Sequence, residues 1–207
     1  MGRGAWAGVR LSRPCLMMER NPGLGEFGEL AAVGARWCIG LVFLMSGASK
    51  IRRRADFNAF RASVAALLPR WGRDVRRLPE AVLMLELAVA PLLLVPGQAW
   101  LGFALAIMLL VAFTVAIAAA RARGVRAPCR CFGGSAAPLG VRHLVRNTLL
   151  AAIGAVGLLS GSTPGHRAAA TTAMAAGIGL VAAVVFVILD DIVDAFAHQP
   201  TTVEHIK

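Results

Sequence analysis

Apolar residues in this chain come in long unbroken runs rather than in alternation, and five runs approach the length of a membrane-crossing helix. They cover Phe27 to Ser49, Pro79 to Val95, Ala99 to Ala120, Leu144 to Leu159 and Ala168 to Leu189. A hydrocarbon core of about 30 Å calls for roughly 20 helical residues, and bilayers adapt to slightly shorter segments. Continuous runs are unlike the alternating strands of a membrane barrel. Helices, which satisfy their own backbone polar groups in lipid, are then the spanning element. Pro96-Gly97-Gln98 leaves almost no loop between the second and third runs, which makes them antiparallel neighbours, and Ser160 to Arg167, with Pro164-Gly165, does the same for the last two. The pattern predicts an all-α polytopic membrane protein. It divides into a polar amino-terminal extension at 1–26, a four-helix transmembrane bundle at 27–160, an additional transmembrane helix at 168–189 and a polar tail at 190–207.

Between the first and second runs, Phe57, Phe60, Val64, Leu67 and Leu68 recur at helical spacing among arginines. That predicts an amphipathic helix lying in the membrane interface. Basic residues concentrate in this loop, Lys50 to Arg77, and again between Arg121 and Arg142. Two spans separate the loops, so they share one side. By the positive-inside rule that side is the cytoplasm, with the amino terminus outside and the carboxyl tail inside.

Composition agrees: 57% of the 207 residues are hydrophobic and the mean hydropathy is +0.68, beyond the range of a soluble domain. The net charge of +11 therefore reads as topology and as attraction to anionic lipid headgroups. A nucleic-acid footprint would need a basic face carrying base-reading side chains, and no stretch supplies one. The extension holds Arg3, Arg10, Arg13 and Arg20 without a continuous apolar core, unlike a cleaved secretory signal. Met17 and Met18 within it offer later translation starts.

The densest candidate chemistry is Cys129-Arg130-Cys131-Phe132-Gly133-Gly134, in the loop between the third and fourth runs. Two thiols one residue apart, beside Arg126 and Arg130, suit redox or metal chemistry at a membrane surface, because guanidinium groups favour the reactive thiolate. A Cys-x-Cys disulfide closes a small strained ring and is expected to be easily reduced. Cys15 lies in the extension and Cys38 inside an apolar run, where it reads as a small packing residue. His143 adds a third soft ligand for copper or zinc, although no fourth is apparent.

Polar residues inside the apolar runs are the other candidates. A lone carboxylate at Glu86, in the middle of the second helix, costs several kcal/mol and must be protonated or paired. Arg36 and Lys50 are its candidate partners, with snorkelling to the headgroups the alternative for Lys50. Arg146 and Asn147 open the fourth helix just past the cysteines, where they either stabilise a thiolate or orient a substrate, with an interfacial anchor the alternative for Arg146. Gly157 and Gly161 form a small-xxx-small pair suited to close helix packing. Asp190, Asp191 and Asp194 read as a solvated helix end rather than a cation site.

The run Gly40-Leu41-Val42-Phe43-Leu44-Met45-Ser46-Gly47-Ala48-Ser49-Lys50, the Phe57 to Pro69 segment, Leu85-Glu86-Leu87, Cys129-x-Cys131-Phe132-Gly133 and Arg146-Asn147 together resemble the MauE (methylamine utilisation protein E) family of DoxX-like membrane proteins. The resemblance runs from about Glu29 to Leu159. It implies a four-helix membrane core associated with thiol and disulfide chemistry, which in the founding case helps a secreted, disulfide-rich dehydrogenase subunit to mature. The residues it carries over are Lys50, Glu86, Cys129, Cys131, Arg146 and Asn147.

These readings converge on a multi-pass cell-membrane protein that performs or supports thiol–disulfide exchange. The expected site comprises Cys129, Cys131, Arg130, Arg146 and Glu86. A quinone is the candidate electron partner, alongside a thioredoxin-like protein and a secreted disulfide-containing client. Disulfides of such a client form outside the cytoplasm, whereas the arginines place both cysteines inside, so the direction of electron flow stays open. The rival readings are a transporter using Glu86, with Pro91 as its nearest helix break and no clear inverted repeat, and a metal-handling or scaffolding membrane protein.

Overall fold

The computed structural model describes residues 22–67, 77–95, 97–124, 141–160 and 169–197, with side chains from 27–65, 77–95, 97–124, 141–160 and 169–188. All regular structure among them is helical: α1 (Pro22–Ile51), α2 (Arg54–Leu67), α3 (Leu78–Leu94), α4 (Ala99–Ala122), α5 (Val141–Leu159) and α6 (Ala169–Ala197). The expected apolar runs all lie in helices, but three extend further than hydropathy alone indicated. Helix α1 begins five residues before Phe27, α5 includes the polar Arg142 and His143, and α6 continues through the three aspartates.

Local chemistry sets the breaks. Pro79 stands in the first turn of α3, where its missing N–H costs nothing. At the hairpin between α3 and α4, Gly97 takes φ +78°, and after α4 Gly124 takes φ +73°, both in the left-handed region that glycine enters most readily. Between α1 and α2 the Arg53 carbonyl accepts from the amides of Asp56 and Phe57, starting the new helix with only Arg52 and Arg53 between it and the old one.

Helices α1, α3, α4 and α5 close a ring, each packing on the next and α5 returning to α1. The ring's core joins Ile39, Val42 and Phe43 of α1 to Val89, Leu93, Phe103, Leu110 and Leu150. Two close approaches set its geometry. A Cβ on Gly157 would stand 2.4 Å from the Phe103 ring, and one on Gly102 within 2.8 Å of Leu93, so each glycine is the notch that seats a neighbour's side chain. Helix α6 lies outside the ring against α1, where a Cβ on Gly179 would meet the Gly34 carbonyl oxygen at 2.2 Å. Gly157 therefore acts as the small residue expected of it, while Gly161 lies outside the described residues.

Large apolar side chains also cover the outside: Met84, Trp100, Met108, Val115 and Leu149 are exposed, as are Met174, Ile178, Val181 and Val185 along one stripe of α6. Helices apolar on every face are a bilayer signature. Phe27–Ile51, Ala99–Ala122 and Ala169–Ile188 are long and apolar enough to cross a membrane. The count of four spans plus one is not reproduced by this measure, for a physical reason. Helix α3 has 17 residues, about 25 Å at 1.5 Å per residue, and the first two turns of α5 carry Arg142, His143, Arg146 and Asn147.

Helix α2 forms where the apolar periodicity places it, but its apolar face is not spent on lipid alone. Phe60 is fully enclosed and Val64 buried as α2 packs on α1, α3 and α4. Arg61 reaches Glu80 of α3 at 3.4 Å on its exposed side.

Candidate functional site

The ring buries Ser46, Lys50, Glu86, Arg146 and Asn147, and α2 adds Ser63. Helix periodicity explains the first two: four residues apart, Ser46 and Lys50 share one face of α1. That face meets α3, since Gly47 lies against Leu87 and Leu83, and the antiparallel pairing brings the end of α1 to the first half of α3. Lys50 Nζ there lies 2.6 and 2.8 Å from the two carboxylate oxygens of Glu86 and donates to Ser46 Oγ at 2.8 Å. Ser46 in turn hydrogen-bonds to Glu86. The three ammonium donors thus have three close acceptors, and the Phe60 ring covers the cation with its centroid 4.9 Å away.

Exposure decides between the two roles open to Lys50. It is 2% exposed and Glu86 0%, so Lys50 turns into the bundle instead of snorkelling to the headgroups. Arg36, the other candidate partner, lies in a small crevice with Trp37, Leu93, Leu94 and Leu180, its Nε enclosed. Ion pairs at such depth are held only when geometry and extra hydrogen bonds offset the desolvation of both charges. Ser46 and Phe60 supply that complement here. Neither was placed beside the ion pair from sequence, where Phe60 stood on the apolar face of an interfacial helix, although the i, i+4 spacing of Ser46 and Lys50 was the available signal for Ser46.

Arg146 and Asn147 lie on the inner face of α5, 7% and 2% exposed. The surface-anchor role is thereby excluded for Arg146. The antiparallel register that sets Gly157 on Phe103 and Gly154 on Ile107, carried two turns further, brings this pair to the level of Phe113 and Thr114 of α4. Cys38 is a free thiol buried in the core, as a packing residue should be. Cys129, Arg130 and Cys131, with Arg126 and Cys15, lie outside the described residues. Their anchors do not: α4 ends at Ala122 and α5 starts at Val141, at the end of the ring where α1 finishes and α3 begins. No metal-binding cluster of His, Cys, Asp or Glu occurs among the described residues.

Ser46→Ala is expected to destabilise the protein by about 1.5–3 kcal/mol, the usual worth of a hydrogen bond to a charged group. Thermal denaturation in detergent measures it, and an unchanged midpoint would show that Lys50 and Glu86 need no third partner.

Residues 28–160 match the family described as Methylamine utilisation protein MauE. The chain belongs to the MauE family. The matched region starts in α1 and ends with α5, so it contains the closed ring, α2, the buried polar residues and the Cys129-Arg130-Cys131 segment, while α6 lies beyond it. No curated protein and no solved structure matches the chain. Family and apolar helices together make this MauE-family chain a membrane protein associated with methylamine utilisation.

Proposed function

We propose that this protein is a multi-pass cell-membrane protein that performs or supports thiol–disulfide exchange during maturation of a secreted, disulfide-containing client of amine dehydrogenase type. Cys129 and Cys131 are the exchanging pair, Arg130 and Arg146 favour the thiolate, and Glu86 with Lys50 fixes the helix ends around them. The observation that carries this reading is the placement of a Cys-x-Cys segment within the family-matching region, joined to α4 and α5 at the end of the ring where the buried polar residues gather. In exchange, a thiolate attacks a disulfide sulfur, a mixed disulfide forms, and the second thiol displaces the departing chain as a thiolate. Closing the Cys129–Cys131 bond releases two electrons and two protons, taken up by a client disulfide, a thioredoxin-like disulfide or a quinone; the reverse step reduces the pair. Dense arginines in both loops put the cysteines on the cytoplasmic side in this reading, with α3 and α5 completing five spans.

The transporter alternative asks Glu86 to exchange protons or substrate. Its full burial and its bonds to Lys50 favour a positioning role instead. Redox-buffer titration with gel-shift alkylation tests the exchange reading in a variant lacking Cys15 and Cys38. Cys129 and Cys131 are expected to pair reversibly, at a potential above the roughly −300 mV of structural disulfides. Thiols that never pair, or pair only under harsh oxidant, would remove exchange from this site.

A further inference from the structure

A cavity of about 390 Å³ lies at the elbow between α1 and α2, lined by Lys50, Arg53, Arg54 and Asn58, with Phe57 and Leu83 as its apolar walls. We infer that this elbow is a binding site for a phosphate-class anion, held by Arg53 and Arg54 and hydrogen-bonded by Asn58.

The charge balance of the elbow supports it. The Lys50 charge is neutralised by Glu86, and Arg61 faces Glu80 elsewhere. Asp56, the acidic residue in the first turn of α2, does not line the cavity. Arg53 and Arg54 are exposed and pair with no carboxylate among the described residues, so the cavity keeps a net positive charge. Guanidinium groups offer planar paired donors that fit phosphate oxygens, and the 14-residue helix α2 begins beside them, adding the positive end of its dipole. Location favours the same ligand class. The crossing segment Phe27–Ile51 ends at this elbow, where a bilayer presents headgroup phosphates, and Phe57 and Leu83 offer an apolar wall to the glycerol end of a lipid. A phospholipid headgroup and a free phosphate share this chemistry.

The test uses the full-length protein, delipidated in detergent, with thermal stabilisation followed against phosphatidylglycerol, phosphatidylcholine and inorganic phosphate. Phosphatidylglycerol is expected to stabilise it at concentrations where phosphatidylcholine does not, and Arg53→Ala/Arg54→Ala to raise the half-saturating concentration roughly tenfold or more. Arg121→Ala/Arg123→Ala removes equal charge at the end of α4 and should change it little. Inorganic phosphate that stabilises the protein and displaces the lipid would assign the site to a free phosphate. Equal loss in both double variants would overturn the inference in favour of diffuse surface attraction, and absence of binding by any anion would overturn it outright. Photo-crosslinking of a phosphatidylglycerol analogue to the unsubstituted protein is independent of the variants: the site requires adducts between Lys50 and Asn58, and adducts confined elsewhere would refute a lipid occupant.

Discussion

Lys50→Met should be the most damaging single substitution in the ring, costing about 3–5 kcal/mol, because it leaves the Glu86 carboxylate enclosed without its cation. The accompanying Lys50→Met/Glu86→Leu change should recover most of that loss, since replacing both charges by apolar groups of similar volume is often neutral or stabilising. Thermal denaturation in detergent and accumulation in the membrane measure both. A single variant that melts like the parent would show that the pair does not hold α1 to α3. Glu86→Gln separates structure from mechanism: normal accumulation with lost client maturation would place the carboxylate in the chemistry, and retained maturation would leave it a structural latch.

Gly179→Leu should release α6 from the ring. Its Cβ would meet the Gly34 backbone at 2.2 Å, and no side-chain rotation relieves a clash with main chain. Helix α6 must therefore move as a body and give up its contact along α1, at a cost of about 1–3 kcal/mol or more. Gly177, two residues away with open space around it, is the matched control, and Gly177→Leu should be silent. Faster cleavage between α5 and α6 by added protease, with the melting of the remainder preserved, is the expected signature in the first variant alone. Equal behaviour of the two would mean that α6 is not held through Gly179.

Much of this arrangement was legible in the sequence because lipid imposes a simple code. Apolar runs gave the long helices, the Pro96-Gly97 turn gave the α3–α4 hairpin, and an intramembrane glutamate announced a partner. The choice between Arg36 and Lys50 was open to a further step: antiparallel helices joined at the end of α1 bring its last turns, not its middle, to the first half of α3. Other features leave no such trace. An amphipathic basic helix has the same pattern whether its apolar face meets lipid or protein, so the docking of Phe60 over Lys50 could not be read from α2. The close approach of Gly34 and Gly179 depends on two helices at opposite ends of the chain, and their glycines carry no paired spacing. Arg146 could anchor at a headgroup or turn inward with equal ease by sequence, and only the register of α5 on α4 decides it.

The buried polar side chains of the ring have one further consequence. Ser46, Lys50, Glu86, Arg146 and Asn147 gather toward the end where α1 finishes, and the core beyond them, through Ile39, Leu93, Ala99 and Phe103, is apolar apart from the Cys38 thiol. Among the described residues, no second carboxylate and no second lysine is buried with that core. The polar end of the ring is therefore backed by a plug of low dielectric, in which the attraction between Lys50 and Glu86 is screened far less than it would be in water.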